Sequence, residues 1–127
     1  MSDGGAHVDQ LCDAGYATYL LGKWVRQWEA LTLERAVHRL TGEVAQLFGI
    51  PDRGRIAAGA AADLVLFDPA TVDDVPPEYV HDLPNGAKRL IARARGVDAT
   101  IVAGQVVYRD GKETGARAGT VLRSGRS

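Results

Sequence analysis

Residues 97–111, VDATIVAGQVVYRDG, decide what kind of fold the second half of this chain adopts. Val97 to Val102 and Gln105 to Asp110 are two β-rich runs split by Ala103-Gly104. Two strands separated by two residues, the second a glycine, form a tight hairpin. Asp110-Gly111 turns the chain again, and Thr120 to Leu122 adds a last short strand. Upstream, Asp63-Leu64-Val65-Leu66-Phe67-Asp68 is a strand apolar on both faces, a pattern that predicts a place inside a sheet covered on both sides. Asp63 and Asp68 bracket it and are expected to be structural, because a carboxylate at a strand end accepts turn amides. Pro69, Pro76 and Pro77 mark a long loop through Asp73 and Asp74.

The first forty percent of the chain follows a different period. After a loop rich in Gly, Asp and Ala over residues 1–14, residues 15–49 read as helical. Tyr19, Leu20, Trp24 and Trp28 fall on one broad apolar face of a first helix, with the tryptophans expected to pack in a core or an interface. Thr32 is a good N-cap for a second helix, with Glu34 near the positive end of its dipole and Leu33, Ala36, Val37 and Leu40 as its inward stripe. Thr41 can cap a third, short helix carrying Val44, Ala45, Leu47 and Phe48, which Gly49 ends. The fold class is therefore α+β: about three helices, then a mainly antiparallel sheet forming a partial β-sandwich. The boundary falls near residue 50, giving segments 1–50 and 51–127. The tail from Arg123 to Ser127 is expected to be disordered.

With 127 residues the chain suits a single domain of modest size, and 46% hydrophobic with 24% charged residues is the composition of a soluble globular protein. A formal net charge of −1 gives no electrostatic footprint for nucleic acid or an anionic membrane. Lys88, Arg89, Arg93 and Arg95 are the only basic cluster, interrupted by apolar residues and read as a solvated strand face. The one cysteine, Cys12, excludes an internal disulfide and fits a reducing compartment. It is expected to be a buried small apolar residue. No signal peptide or bilayer-length apolar run is seen, so the expected location is cytoplasmic.

Chemistry is concentrated at the start. In SDGGAH, residues 2–7, Asp3 sits in a loop of Ser and Gly where a carboxylate can bind a metal or take a proton from water, with room left for substrate. An aspartate near a terminus is also, ordinarily, a solvated residue or a helix cap. His7 follows four residues later, a spacing that fixes no geometry in a loop. His38 lies within the second helix and His81 in the proline-flanked loop. No His-x-His, His-Glu-x-x-His or Cys-x-x-Cys occurs, so three converging zinc ligands are not visible. Neither a Gly-x-Ser-x-Gly elbow nor a phosphate-cradling glycine loop is present.

The order of these stretches carries more than any one of them. The Ser-Asp-Gly loop, the long helical segment, LFGI at 47–50, DRGRIAAGAAADLVLFDPATV at 52–72 and DATIVAGQVVYRDGKETG at 98–115 together resemble the C-terminal portion of metal-dependent amidohydrolases. The branch most similar is that of the N-acyl-D-amino-acid deacylases, or D-aminoacylases. The resemblance runs from Ser2 to about Arg123.

That resemblance implies a (β/α)8 barrel holding one or two zinc ions at the C-terminal ends of its strands, and a small β-sandwich beside it. Residues 1–50 would then be the end of the barrel, from the loop after strand eight through the following helices. Residues 51–127 would be the C-terminal part of the small β domain. Asp3 matches the family's aspartate after the eighth strand, a metal ligand or the base acting on the attacking water. The histidine ligands come from earlier strands that this chain does not contain. The expectation is thus a hydrolase acting on the amide of an N-acyl amino acid, of which this chain is a fragment, inactive by itself and holding no zinc alone. The alternative is a non-catalytic module that self-associates, most simply as a dimer, or completes a separate barrel chain.

Overall fold

The computed structural model describes residues 8–122. In chain order its elements are α1 (Tyr16–Tyr19), running on as a π-helical segment (Leu20–Gln27), α2 (Leu33–Leu40), α3 (Gly42–Leu47), β1 (Leu64–Phe67), β2 (Asp73–Asp74), β3 (Glu78–Val80), β4 (Arg89–Ile91), β5 (Ala94–Arg95), β6 (Val97–Val102), β7 (Gln105–Arg109) and β8 (Lys112–Glu113). All strand pairs are antiparallel, and no α-helix follows β1 among the described residues. The α+β class and the helices-then-strands order are those expected from the sequence. The residues divide into two compact units, one of 8–30 with 68–96 and one of 31–67 with 97–122. No helix among the described residues is long and apolar enough to cross a membrane.

In the first unit, the helix winds wider than an α-helix from Leu20 onward, and Trp28 N–H reaches Lys23 O, five residues back, at 2.8 Å. Its buried residues are Leu21 and Gly22, not the aromatic stripe that the sequence pattern favours. Tyr19, Trp24 and Trp28 are exposed and cluster edge to face, with centroids 5.4 Å apart for the two tryptophans. The long loop expected around Asp73 and Asp74 is instead a short ribbon. Asp73 lies opposite Arg95, and Asp74 opposite Ala94. β3 and β4 form a second ribbon in which Glu78 faces Ile91 and Val80 faces Arg89.

The basic cluster beside these ribbons is largely neutralised rather than simply solvated. Arg89 makes a two-pronged bond to Asp82 at 2.7 and 2.6 Å, Arg93 binds Glu78 at 2.6 Å, and Lys88 sits 4.6 Å over the Tyr79 ring.

The second unit holds α2, α3 and a four-stranded sheet in the order β1-β6-β7-β8. Thr32 caps α2 as expected, its Oγ1 accepting the Arg35 N–H at 3.2 Å, and Ala36 is fully buried at the centre of the inward stripe. Thr41 does not cap α3; its hydroxyl donates back to Val37 O at 2.7 Å. α3 ends as expected at Gly49, where Gly49 N–H bonds Gln46 O and Ile50 N–H bonds Ala45 O, the paired closure of a Schellman end. Its apolar side chains are less well used. Ala45 is buried, but Leu47 and Phe48 are 78% and 70% exposed.

The β6–β7 hairpin turns on Ala103 and Gly104, both with positive φ (47° and 78°), and the β7–β8 turn repeats this at Asp110 and Gly111 (49° and 73°). Positive φ at both centres matches the twist of the flanking strands, which is why the glycine in each pair was informative. β1 departs from expectation. It is an edge strand, paired only with β6, and Val65 and Leu66 are 55% and 48% exposed. An apolar run on both faces marks a strand that needs two covered faces; Val65 and Leu66, adjacent and so on opposite faces, both stay about half exposed among the described residues. Residues 120–122, expected as a last strand, form none. Among the described residues the buried apolar side chains are few and mostly small: Leu21, Ala36, Ala45, Val72 and Ala99.

Candidate functional site

Asp3 and His7, the residues singled out for catalysis, lie outside the described residues, as does the tail from Arg123. His38 stands exposed on α2 with its Nδ1 3.8 Å from Glu43 Oε2. His81 is exposed just after β3. Cys12 is a free thiol, half-buried rather than buried. Among the described residues no group of three His, Cys, Asp or Glu side chains is arranged to hold a metal ion. The described residues therefore do not by themselves fit a zinc centre.

What the structure does assemble, in the first unit, is an ionic centre on Asp73. The strand register sets Arg95 directly across the ribbon from Asp73, and the helix brings Lys23 and Arg26, three residues apart, onto the same carboxylate. Arg26 Nη2 and Arg95 Nη2 each donate to Oδ2 at 2.9 Å, Lys23 Nζ is 3.8 Å from Oδ1, and the Asp74 N–H donates to Oδ1 at 3.1 Å. Arg26 also donates to the carbonyls of Val72 and Pro69. The Asp73 side chain is 1% exposed. Burial pushes its carboxyl pKa up, but the Arg95 and Asp74 hydrogen bonds and the Lys23 charge outweigh this and hold it below the usual carboxylate range. The result is a clamp that fixes the helix on the ribbon.

Beside the clamp opens a cleft of about 350 Å³ with Cys12, Asp13, Tyr16, Tyr19 and Asp74 among its walls. Asp74 Oδ1 is buried there without a hydrogen-bond partner. Two carboxylates, a thiol and two phenols can accept or share hydrogen bonds with a donor, and no histidine or lysine stands among the lining residues to act as a base.

Asp63, in the second unit, and Asp68 accept turn amides, the structural use expected of a carboxylate at a strand end. Asp63 accepts the Ala103 N–H at 2.8 Å and Arg53 Nε at 2.7 Å; Asp68, in the first unit, accepts the Ala70 N–H at 2.9 Å and the Thr71 hydroxyl at 2.8 Å. The turn amide is the largest cause holding each carboxyl below its ordinary pKa, followed by Arg53 for Asp63 and by Thr71 for Asp68. Asp73 was missed. Its signal was divided: Gly22, Lys23 and Arg26 give the helix a flat, cationic side, but the matching acid lies far along the chain.

Comparison with known proteins gives these features a context. A family model described as "Amidohydrolase family" matches residues 1–108. The N-acyl-D-glutamate deacylase of Alcaligenes xylosoxydans xylosoxydans is 39% identical over 109 residues, covering 86% of this chain and 20% of the relative. The D-aminoacylase of the same organism is 37% identical over 123 residues, covering 95% of this chain and 24% of the relative. Among solved structures, the N-acyl-D-glutamate deacylase from Bordetella bronchiseptica, complexed with zinc and a phosphonate inhibitor that mimics the tetrahedral intermediate, matches with a TM-score of 0.67 at 35% identity. That match covers 87% of this chain and 21% of the other. The chain spans 20–24% of the length of these curated relatives.

Proposed function

The chain belongs to the amidohydrolase family, and on that premise we propose that it is the C-terminal part of a hydrolase cleaving the amide carbon–nitrogen bond of N-acyl amino acids, of the N-acyl-D-amino-acid deacylase kind. The observation that carries this reading is the identity to deacylases over nearly the whole chain. In the complete enzyme, water attacks the amide carbon, Asp3 takes the proton from the attacking water, and the proton passes to the leaving amine as the carbon–nitrogen bond breaks. Asp3 is the base or a metal ligand there, and His7 is a subordinate candidate. Zinc is assigned to the complete enzyme, by analogy with the zinc-bound relative. Residues 1–50 are proposed as the end of the barrel and 51–127 as part of the small β-sandwich; the antiparallel order β1-β6-β7-β8 supports the latter.

For the 127 residues alone we propose a second, non-catalytic reading: an inactive chain that self-associates, most simply as a dimer, in the cytoplasm. The exposed aromatic cluster at Tyr19, Trp24 and Trp28 and the open apolar edge of β1 favour it. A full-length barrel chain could cover the same surfaces. The test compares zinc content and amidase activity of this chain and of a version extended upstream through its reading frame. The extended version is expected to hydrolyse N-acyl-D-amino acids and to lose that activity in Asp3→Ala. Zinc retained through dialysis together with amide turnover by the 127 residues would overturn the inactivity. An extended enzyme inert towards every N-acyl amino acid tried would overturn the substrate class. Sedimentation of the 127 residues as a monomer at low micromolar concentration would remove the dimer.

A further inference from the structure

We draw no further inference here: the strongest candidate, the cleft walled by Cys12, Asp13, Tyr16, Tyr19 and Asp74 in the first unit, carries nothing because Asp74 is only part-buried and nothing among the described residues shows what fills or covers it.

Discussion

Gly22 and Asp73 approach so closely that no side chain fits between them: a Cβ on Gly22 would stand 2.2 Å from Asp73 Oδ1 and 3.1 Å from its Cα. The glycine is there for contact rather than for flexibility. It lets the helix come near enough for Lys23 and Arg26 to reach the same carboxylate.

Gly22→Ala is therefore expected to destabilise, although alanine is the better helix former by about 1 kcal/mol. The added methyl must displace either the clamp carboxylate or the β2 backbone, and overpacking of this kind costs about 1–3 kcal/mol. Gly119→Ala is the control, since its Cβ meets open space and its φ is not in the left-handed region. Urea unfolding of both variants checks the pair; equal midpoints would show that the helix does not rest on Asp73.

Asp73→Asn should weaken folding by about 1–3 kcal/mol near neutral pH, the cost of leaving charged donors short of a buried acceptor. Lys23, Arg26 and especially Arg95 keep some solvent contact, which keeps the loss below that of a fully buried pair. The pH dependence has a definite sign. The folded carboxyl titrates below its ordinary value, so its contribution is complete above that value, near pH 4, and is lost as pH falls through the folded pKa. The gap between parent and Asp73→Asn should narrow in urea melts taken from pH 6 down to about pH 2. A gap that stays constant with pH would contradict the ionic clamp.

Asp63 holds the β6–β7 turn through the Ala103 amide and also binds Arg53. Asp63→Ala should cost about 1 kcal/mol or more. Asp63→Asn keeps an acceptor for the Ala103 amide but sets an NH2 donor against Arg53 Nε in place of the second oxygen, so it should cost less where the amide bond dominates. The order alanine worse than asparagine is the observable; the reverse order would mean that Arg53, rather than the turn amide, is the partner that matters.

Ala103 occupies a left-handed conformation, φ 47°, at the first centre of a two-residue turn and is exposed. Asparagine tolerates that region better than alanine, and Asn-Gly is the preferred pair for such a turn. Ala103→Asn is expected to raise the melting temperature by a few degrees, read by calorimetry. A decrease would show that the side chain interferes with the amide bond to Asp63.

The contrast among these positions explains what could be read from the sequence. The hairpin at Ala103-Gly104, the Thr32 cap, the stripe centred on Ala36 and the Gly49 helix end all depend on partners within a few residues, so their signals sit side by side in the chain. For Asp63 only the strand-end position is local, since the Ala103 amide it accepts lies 40 residues on. Asp68 was legible through its local partners, the Ala70 amide and the Thr71 hydroxyl. Asp73 was not, because its cationic partners are 47 and 22 residues away, and a Thr-Val-Asp-Asp-Val-Pro-Pro stretch looks like a solvated loop until Arg95 is set across from it. Leu47, Phe48, Val65 and Leu66 mislead in the opposite direction: their apolar character states a need for cover that the described residues do not meet. The proposed catalytic residue Asp3 was legible only through family resemblance, since one carboxylate in a small-residue loop has no geometry of its own.

Each unit is built from two separated stretches, and this sets an order of events during synthesis. Arg26 leaves the ribosome 47 residues ahead of Asp73; at translation rates of about 5–20 residues per second that is a wait of roughly 2–10 s. Throughout it, Lys23 and Arg26 have no Asp73 to bind, and Gly22 has no surface to rest on. The clamp then needs Arg95 as well, while β1 waits for β6 to begin at Val97. Neither unit can close until the nascent chain has grown to this point, and both become able to close almost together. A stalled or prematurely released product ending before Asp73 would hold the helix without its acid and β1 without β6, and such a product is a natural substrate for chaperones and proteases.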